Sequence, residues 1–75
     1  MKYATEETVC LGDKVIISGL GRGTVAAIIS DGVYSSSFPK EEWGYLGCGI
    51  LISTNEAGVI HFKDLNSDIL FFERS

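Results

Sequence analysis

The sequence predicts an all-β fold, a small barrel or strongly bent sheet of about five short antiparallel strands with one helical turn in its longest connection. Short runs rich in β-branched and other apolar residues recur along the chain, and Gly, Asn, Asp and Ser separate them. The chain leaves no room for the helices that a two-layer helical fold requires. Its 75 residues suit a single domain, residues 1–75.

The first half of the chain predicts a lead-in segment, residues 1–11, followed by a hairpin. A Gly-Asp turn signal precedes the first strand, residues 14–18. The second strand covers residues 24–29, and the glycine-rich segment 19–23 joins the two as a wide, flexible tip.

A long connection, residues 33–47, follows, and it contains the chain's one proline, Pro39. Residues 39–43 suit a single helical turn, because proline is favoured at the first helical position and acidic residues near the start. We expect Ser37 to help cap this turn.

The second half predicts three further strands, residues 48–54, 59–62 and 68–73. Gly58 suits the left-handed position of the tight turn between the third and fourth strands. The polar segment 63–67 is a loop.

The last strand is apolar on both faces, which a strand of a simple two-layer sheet is not. Ile69 and Phe71 lie on one side, and Leu70 and Phe72 on the other. Two interpretations remain open: a bent strand partly covered by the long connection, or a surface for self-association or a partner.

Composition and charge weigh against two classes of partner. The formal net charge is −4, and the six basic residues are scattered. Nucleic-acid binding depends on neutralising phosphates, so nucleic acid is an unfavoured partner, and anionic membranes are too. We see no signal peptide and no membrane span, so we expect a cytoplasmic protein with reduced Cys10 and Cys48.

Residues 12–29 resemble a KOW-type element, on the pattern Gly12-Asp13-Lys14-Val15 followed by Gly23-Thr24-Val25. Such elements open SH3-like barrels in ribosomal proteins and bacterial transcription elongation factors. The resemblance implies an SH3-like barrel of about five strands. It also implies an alternative function, as a nucleic-acid or transcription-machinery accessory, although Arg22 is the only basic residue at the predicted tip.

The later part of the chain, from Trp43 to Arg74, resembles small bacterial proteins, some of them similar to the products of mobile gene cassettes. That resemblance implies no activity.

Residues suited to catalysis or metal binding are few, and we expect no enzyme, no cofactor and no metal site. Cys48 and His61 could act as nucleophile and base, but hairpin pairing about the Asn55–Gly58 turn places Ile52 near His61, and Cys48 too far along for a hydrogen bond. No second His or Cys stands at ligand spacing to His61. The glycines of segment 19–23 precede a strand instead of a helix, unlike a phosphate loop.

The predicted binding site is aromatic. The long connection carries four large aromatic side chains, which are Tyr34, Phe38, Trp43 and Tyr45. Trp and Tyr are typical anchors of protein interfaces, and long loops in compact domains are commonly functional. The alternative is that Phe38 and Trp43 plug one end of the barrel, since so short a chain needs its large side chains buried.

The sequence therefore predicts a non-catalytic binding module that engages a protein partner through the aromatic connection. A homodimer or a higher structural homo-oligomer, formed through residues 69–72, is a further alternative.

Overall fold

The first hairpin of the sheet joins strand β1 (Lys14–Ile17) to strand β2 (Gly21–Ile28). The structure, a computed structural model, describes residues 1–3, 5–65 and 68–74. Ile17 pairs with Gly21, and the amide of Leu20 donates to the carbonyl of Ile17 at 3.0 Å. The expected wide tip is therefore wrong. Glycine weakens a strand but does not obstruct pairing, so β2 begins inside the glycine-rich segment.

The second hairpin joins strand β3 (Ile50–Thr54) to strand β4 (Gly58–Phe62). Gly58 has φ of +72°, the left-handed conformation that the sequence predicts. The Thr54 hydroxyl donates to the Gly58 carbonyl at 2.8 Å and accepts from the Ala57 amide at 3.0 Å. These bonds fix a register in which Leu51, and not Ile52, stands opposite His61.

Strand β5 (Ile69–Glu73) pairs with β1, which gives one antiparallel sheet in the order β4-β3-β2-β1-β5. The predicted loop 63–67 lies partly outside the described residues, at Asn66 and Ser67. The prediction of an all-β fold with five antiparallel strands and a short helical turn is confirmed.

The inner face of the sheet holds the main core. Its buried members from the strands are Val15, Ile17, Val25, Ile28, Ile50, Ile52 and Ile69. Phe62 of one edge strand and Phe71 of the other pack against this same cluster, so the sheet curls around it. No helix of the described residues is long and apolar enough to cross a membrane.

The lead-in segment contributes to this core as well. Tyr3 and Val9 are buried within it, and an isolated bridge pairs Lys2 with Thr8. The N-terminal ammonium group lies 2.7 Å from the Asp31 carboxylate. Residues before β1 therefore close the core as well as leading into the sheet.

A 3₁₀ turn (Ile29–Asp31) precedes the long connection, which contains helix α1 (Lys40–Trp43) and a second 3₁₀ turn (Gly44–Leu46). Pro39, in extended conformation, is the residue that precedes α1, and no side chain of the described residues caps the helix. The expected capping role of Ser37 is therefore wrong. Ser35 fastens the connection instead, because its hydroxyl donates to the Ala26 carbonyl at 2.8 Å.

Candidate functional site

The aromatic connection packs on the outer face of the sheet. The β2–β3 register shifts between Val25 and Ala27, so Ala26 is an extra residue in β2. Ala26 and Ala27 are both buried, and with Ile29 and Leu51 they form a second apolar cluster. Small side chains here leave room for larger ones from the connection, which are Tyr34, Phe38, Trp43 and Leu46.

Phe38 and Trp43 are both half-buried and contact each other, with ring centroids 5.6 Å apart and planes tilted by 51°. They cover the outer face of β2 and β3 and do not belong to the inner core. The Trp43 indole nitrogen is buried without a hydrogen-bond partner among the described residues. Such a group costs about 1–3 kcal/mol relative to its hydrated state.

Tyr45 differs from the other three predicted site residues, because 79% of its surface is exposed. It lies in the 3₁₀ turn directly after Trp43, whereas Tyr34 is half-buried. Glu41 and Glu42, in the same short stretch, are exposed too. Tyr45 is therefore the one exposed aromatic side chain of the described connection, and it lies close in sequence to the exposed charges of Lys40, Glu41 and Glu42.

The predicted self-association surface, residues 69–72, has alternate side chains buried and exposed, as strand alternation predicts. Ile69 is buried, and Phe71 is half-buried, 5.3 Å from the Tyr3 ring centroid. Leu70 and Phe72 are 50% and 44% exposed. With Ile16, the register partner of Leu70, they form an exposed apolar group that we call the β1–β5 patch.

Cys48 and His61 lie closer than the sequence predicts. The His61 Nε2–H donates to the Cys48 carbonyl at 2.8 Å, because a carbonyl oxygen only accepts. Gly49 brings the two together with φ of +98°, where a β-carbon would stand 2.6 Å from that nitrogen. Nε2 is therefore engaged by the backbone carbonyl of Cys48 in this arrangement.

The sequence interpretation missed a buried polar cluster around Asp13. The Asp13 carboxylate is fully buried and accepts from the Tyr3 hydroxyl at 2.8 Å, the Cys10 amide at 2.9 Å and Arg74 Nε at 3.1 Å. Burial raises the pKa of Tyr3 above its ordinary value, and the hydrogen bond to Asp13 raises it further. Strand alternation is the signal that could have found Asp13, since it shares the inner face with Val15.

A polar depression of about 80 Å³ lies at the outer surface of β1, β2 and β3. Its lining residues are Lys14, Arg22, Gly23, Thr24, Ser53 and Asn55. Among the described residues, no group of three or more His, Cys, Asp or Glu side chains is arranged to hold a metal ion.

Comparison of the chain with protein-family models, with curated proteins and with solved structures gives no match. The resemblances to KOW-type elements and to cassette-encoded proteins therefore stay predictions from the sequence.

Proposed function

We propose that this protein is a non-catalytic module that binds a protein partner through the exposed side of the aromatic connection, residues 33–47. The observation that carries the proposal is the exposure of Tyr45, at 79%, beside the Phe38–Trp43 pair. Exposed aromatic side chains next to a packed apolar base are typical of interface hot spots. A cytoplasmic setting suits the two free thiols, Cys10 and Cys48.

The packing of the connection supports adaptation to a partner. Trp43 and Leu46 pack on the sheet, but neither α1 nor the 3₁₀ turn after it contains a fully buried residue, so this segment is held less tightly than the inner core. The buried Trp43 N–H gains a hydrogen bond if a partner offers a carbonyl oxygen there. Rearrangement on binding would therefore relieve a cost that the free protein bears.

The charge beside Tyr45 defines the chemistry of the partner. Glu41 and Glu42 are exposed, and the whole chain carries a net charge of −4. A segment with an apolar anchor and flanking Lys or Arg side chains is complementary to this surface, and its association should slow as salt increases.

The test is affinity capture from a lysate of the source organism with the wild type, Tyr45→Ala and a matched control, Phe72→Ala. Tyr45 and Phe72 are both exposed, so neither change should unfold the chain, which circular dichroism checks. We expect a protein retained by the wild type and the control to be lost from Tyr45→Ala. Its affinity should fall at least about thirtyfold, as for a hot-spot residue.

Equal retention by the wild type and Tyr45→Ala would reject the aromatic connection as the binding surface. If only further copies of the chain are retained, and Phe72→Ala alone loses them, self-association becomes the better account. The observation that favours this second candidate is the exposed apolar character of the β1–β5 patch.

A further inference from the structure

The depression on the outer face of β1, β2 and β3 joins polar side chains from separate strands. Lys14, Thr24 and Ser53 are register partners, so they stand side by side across three adjacent strands. Arg22 precedes Thr24 by two residues on the same face of β2, and Asn55 contributes from the turn after β3.

The floor of the depression is backbone. Gly23 is buried there, and a β-carbon on it would stand 2.6 Å from the Ile52 side chain. The sheet is therefore packed tightly below this point, while the side chains around it reach outward. The result is a recess with a closely packed base and polar walls.

Every described side chain that lines the recess can donate a hydrogen bond, and none of these is a carboxylate. Lys14 and Arg22 bring two positive charges to one place on a chain whose net charge is −4. The Arg22 guanidinium lies 4.8 Å from the Phe72 ring centroid, a contact that orients it before any ligand binds.

We propose that this recess binds a phosphate group, either free or as a small phosphate monoester. A phosphate monoester carries a charge of about −1.5 to −2 at neutral pH, which matches the two cations. Its oxygens point in several directions, as the ammonium, guanidinium, hydroxyl and amide donors do. A single water needs only about 10–15 Å³ of such space, so 80 Å³ accommodates a group of several heavy atoms.

A carboxylate fits this recess less well. It carries one charge, which leaves the second cation uncompensated, and its two oxygens lie in one plane. The recess is separate from Tyr45 and the aromatic connection, so the phosphate site does not depend on the proposed protein-binding function.

The test is a titration of the ¹⁵N-labelled protein with inorganic phosphate, followed by the amide shifts of Gly23, Thr24 and Ser53. Phosphoserine and acetate are titrated in parallel, with chloride holding the ionic strength constant. Because the site is open to solvent, we expect a dissociation constant on the order of millimolar. Tighter binding of phosphoserine than of inorganic phosphate would identify an ester as the ligand, and the reverse would identify the free ion.

The variant Lys14→Gln with Arg22→Gln should weaken phosphate binding at least about tenfold, since each lost bond is charge-assisted. The matched control, Lys40→Gln with Lys63→Gln, removes the same charge from exposed positions outside the recess and should bind as the wild type does. Amide spectra without phosphate verify that both variants fold.

Three results would overturn the proposal: no saturable shift at the recess, acetate binding as well as phosphate, or equal weakening in the control variant. The last result would mean that phosphate responds to total charge alone. The Tyr45→Ala variant should bind phosphate normally, so failure of this site and failure of the protein-binding function are distinguishable.

Discussion

Two polar side chains have atoms buried away from water, and only one of them has hydrogen-bond partners among the described residues. The Asp13 carboxylate has no solvent exposure, and three donors surround it. The Trp43 indole nitrogen is also buried, yet no described residue accepts its hydrogen. A satisfied group specifies one conformation, whereas an unsatisfied one favours any rearrangement that supplies an acceptor. This contrast distinguishes the inner core from the aromatic connection.

Tyr3 should make the protein unstable in base. Its pKa is raised above the ordinary value near 10, mainly by burial and then by Asp13, so the folded state keeps a proton that the unfolded chain releases. The unfolded state therefore binds fewer protons above about pH 10, and the free energy of unfolding falls as pH rises. Urea unfolding across this pH range measures the slope.

Tyr3→Phe provides the control for that slope, because it removes the phenol and keeps the ring that packs near Phe71. The variant should lose less stability per pH unit than the wild type in the same range. Identical slopes would mean that groups other than Tyr3 govern the loss.

Among the secondary-structure elements, the glycines that lead from the connection into β3 adopt left-handed backbone conformations. Gly49 has φ of +98°, and a β-carbon there would collide with the Phe62 carbonyl oxygen. Gly47, two residues earlier, has φ of +79° but open space around it. Alanine at Gly47 would therefore introduce backbone strain alone, whereas alanine at Gly49 would introduce both strain and a steric collision.

Gly49→Ala should destabilise the protein by about 3–5 kcal/mol, from a left-handed backbone and from overpacking together. Gly47→Ala should cost only about 1–2 kcal/mol, since strain alone acts there. Urea midpoints of both variants measure the difference. Equal losses would show that β3 and β4 move apart easily enough to admit the extra methyl group.

For the molecule as a whole, Asp13 connects both ends of the described chain. It accepts from Tyr3 in the lead-in segment and from Arg74 just after β5, while its carbonyl accepts from the β2 residue Val25 at 2.9 Å. Small domains bury a modest fraction of their surface, so a link that spans 61 residues matters to the whole fold.

Asp13→Asn should lower the free energy of unfolding by about 2–3 kcal/mol, because it removes the charge from several hydrogen bonds. Arg74 is 44% exposed, so solvent screens part of that loss. Asp64→Asn, at an exposed position, should stay within about 0.5 kcal/mol of the wild type. Similar losses of stability in both variants would show that the Asp13 carboxylate contributes no more than an exposed carboxylate does.

The sequence by itself determined the all-β class, the five strands, the helical turn and the two-sided character of β5. These follow from local chemistry, since β-branched runs, turn glycines and alternation act over a few residues. Gly58 in its left-handed turn and the division of residues 69–72 between two faces are examples.

Only the tertiary structure decided which of those residues meet and which stay exposed. Strand register brings Lys14, Arg22 and Ser53 together from three strands. The lead-in segment folds against the core, so the Tyr3 hydroxyl reaches Asp13. The bulge at Ala26 shifts the β2–β3 register by one residue, and such a slip exchanges the two faces of a strand. Tyr45 stays exposed in the 3₁₀ turn after α1, whereas Phe38 and Trp43 pack on the outer face of β2 and β3.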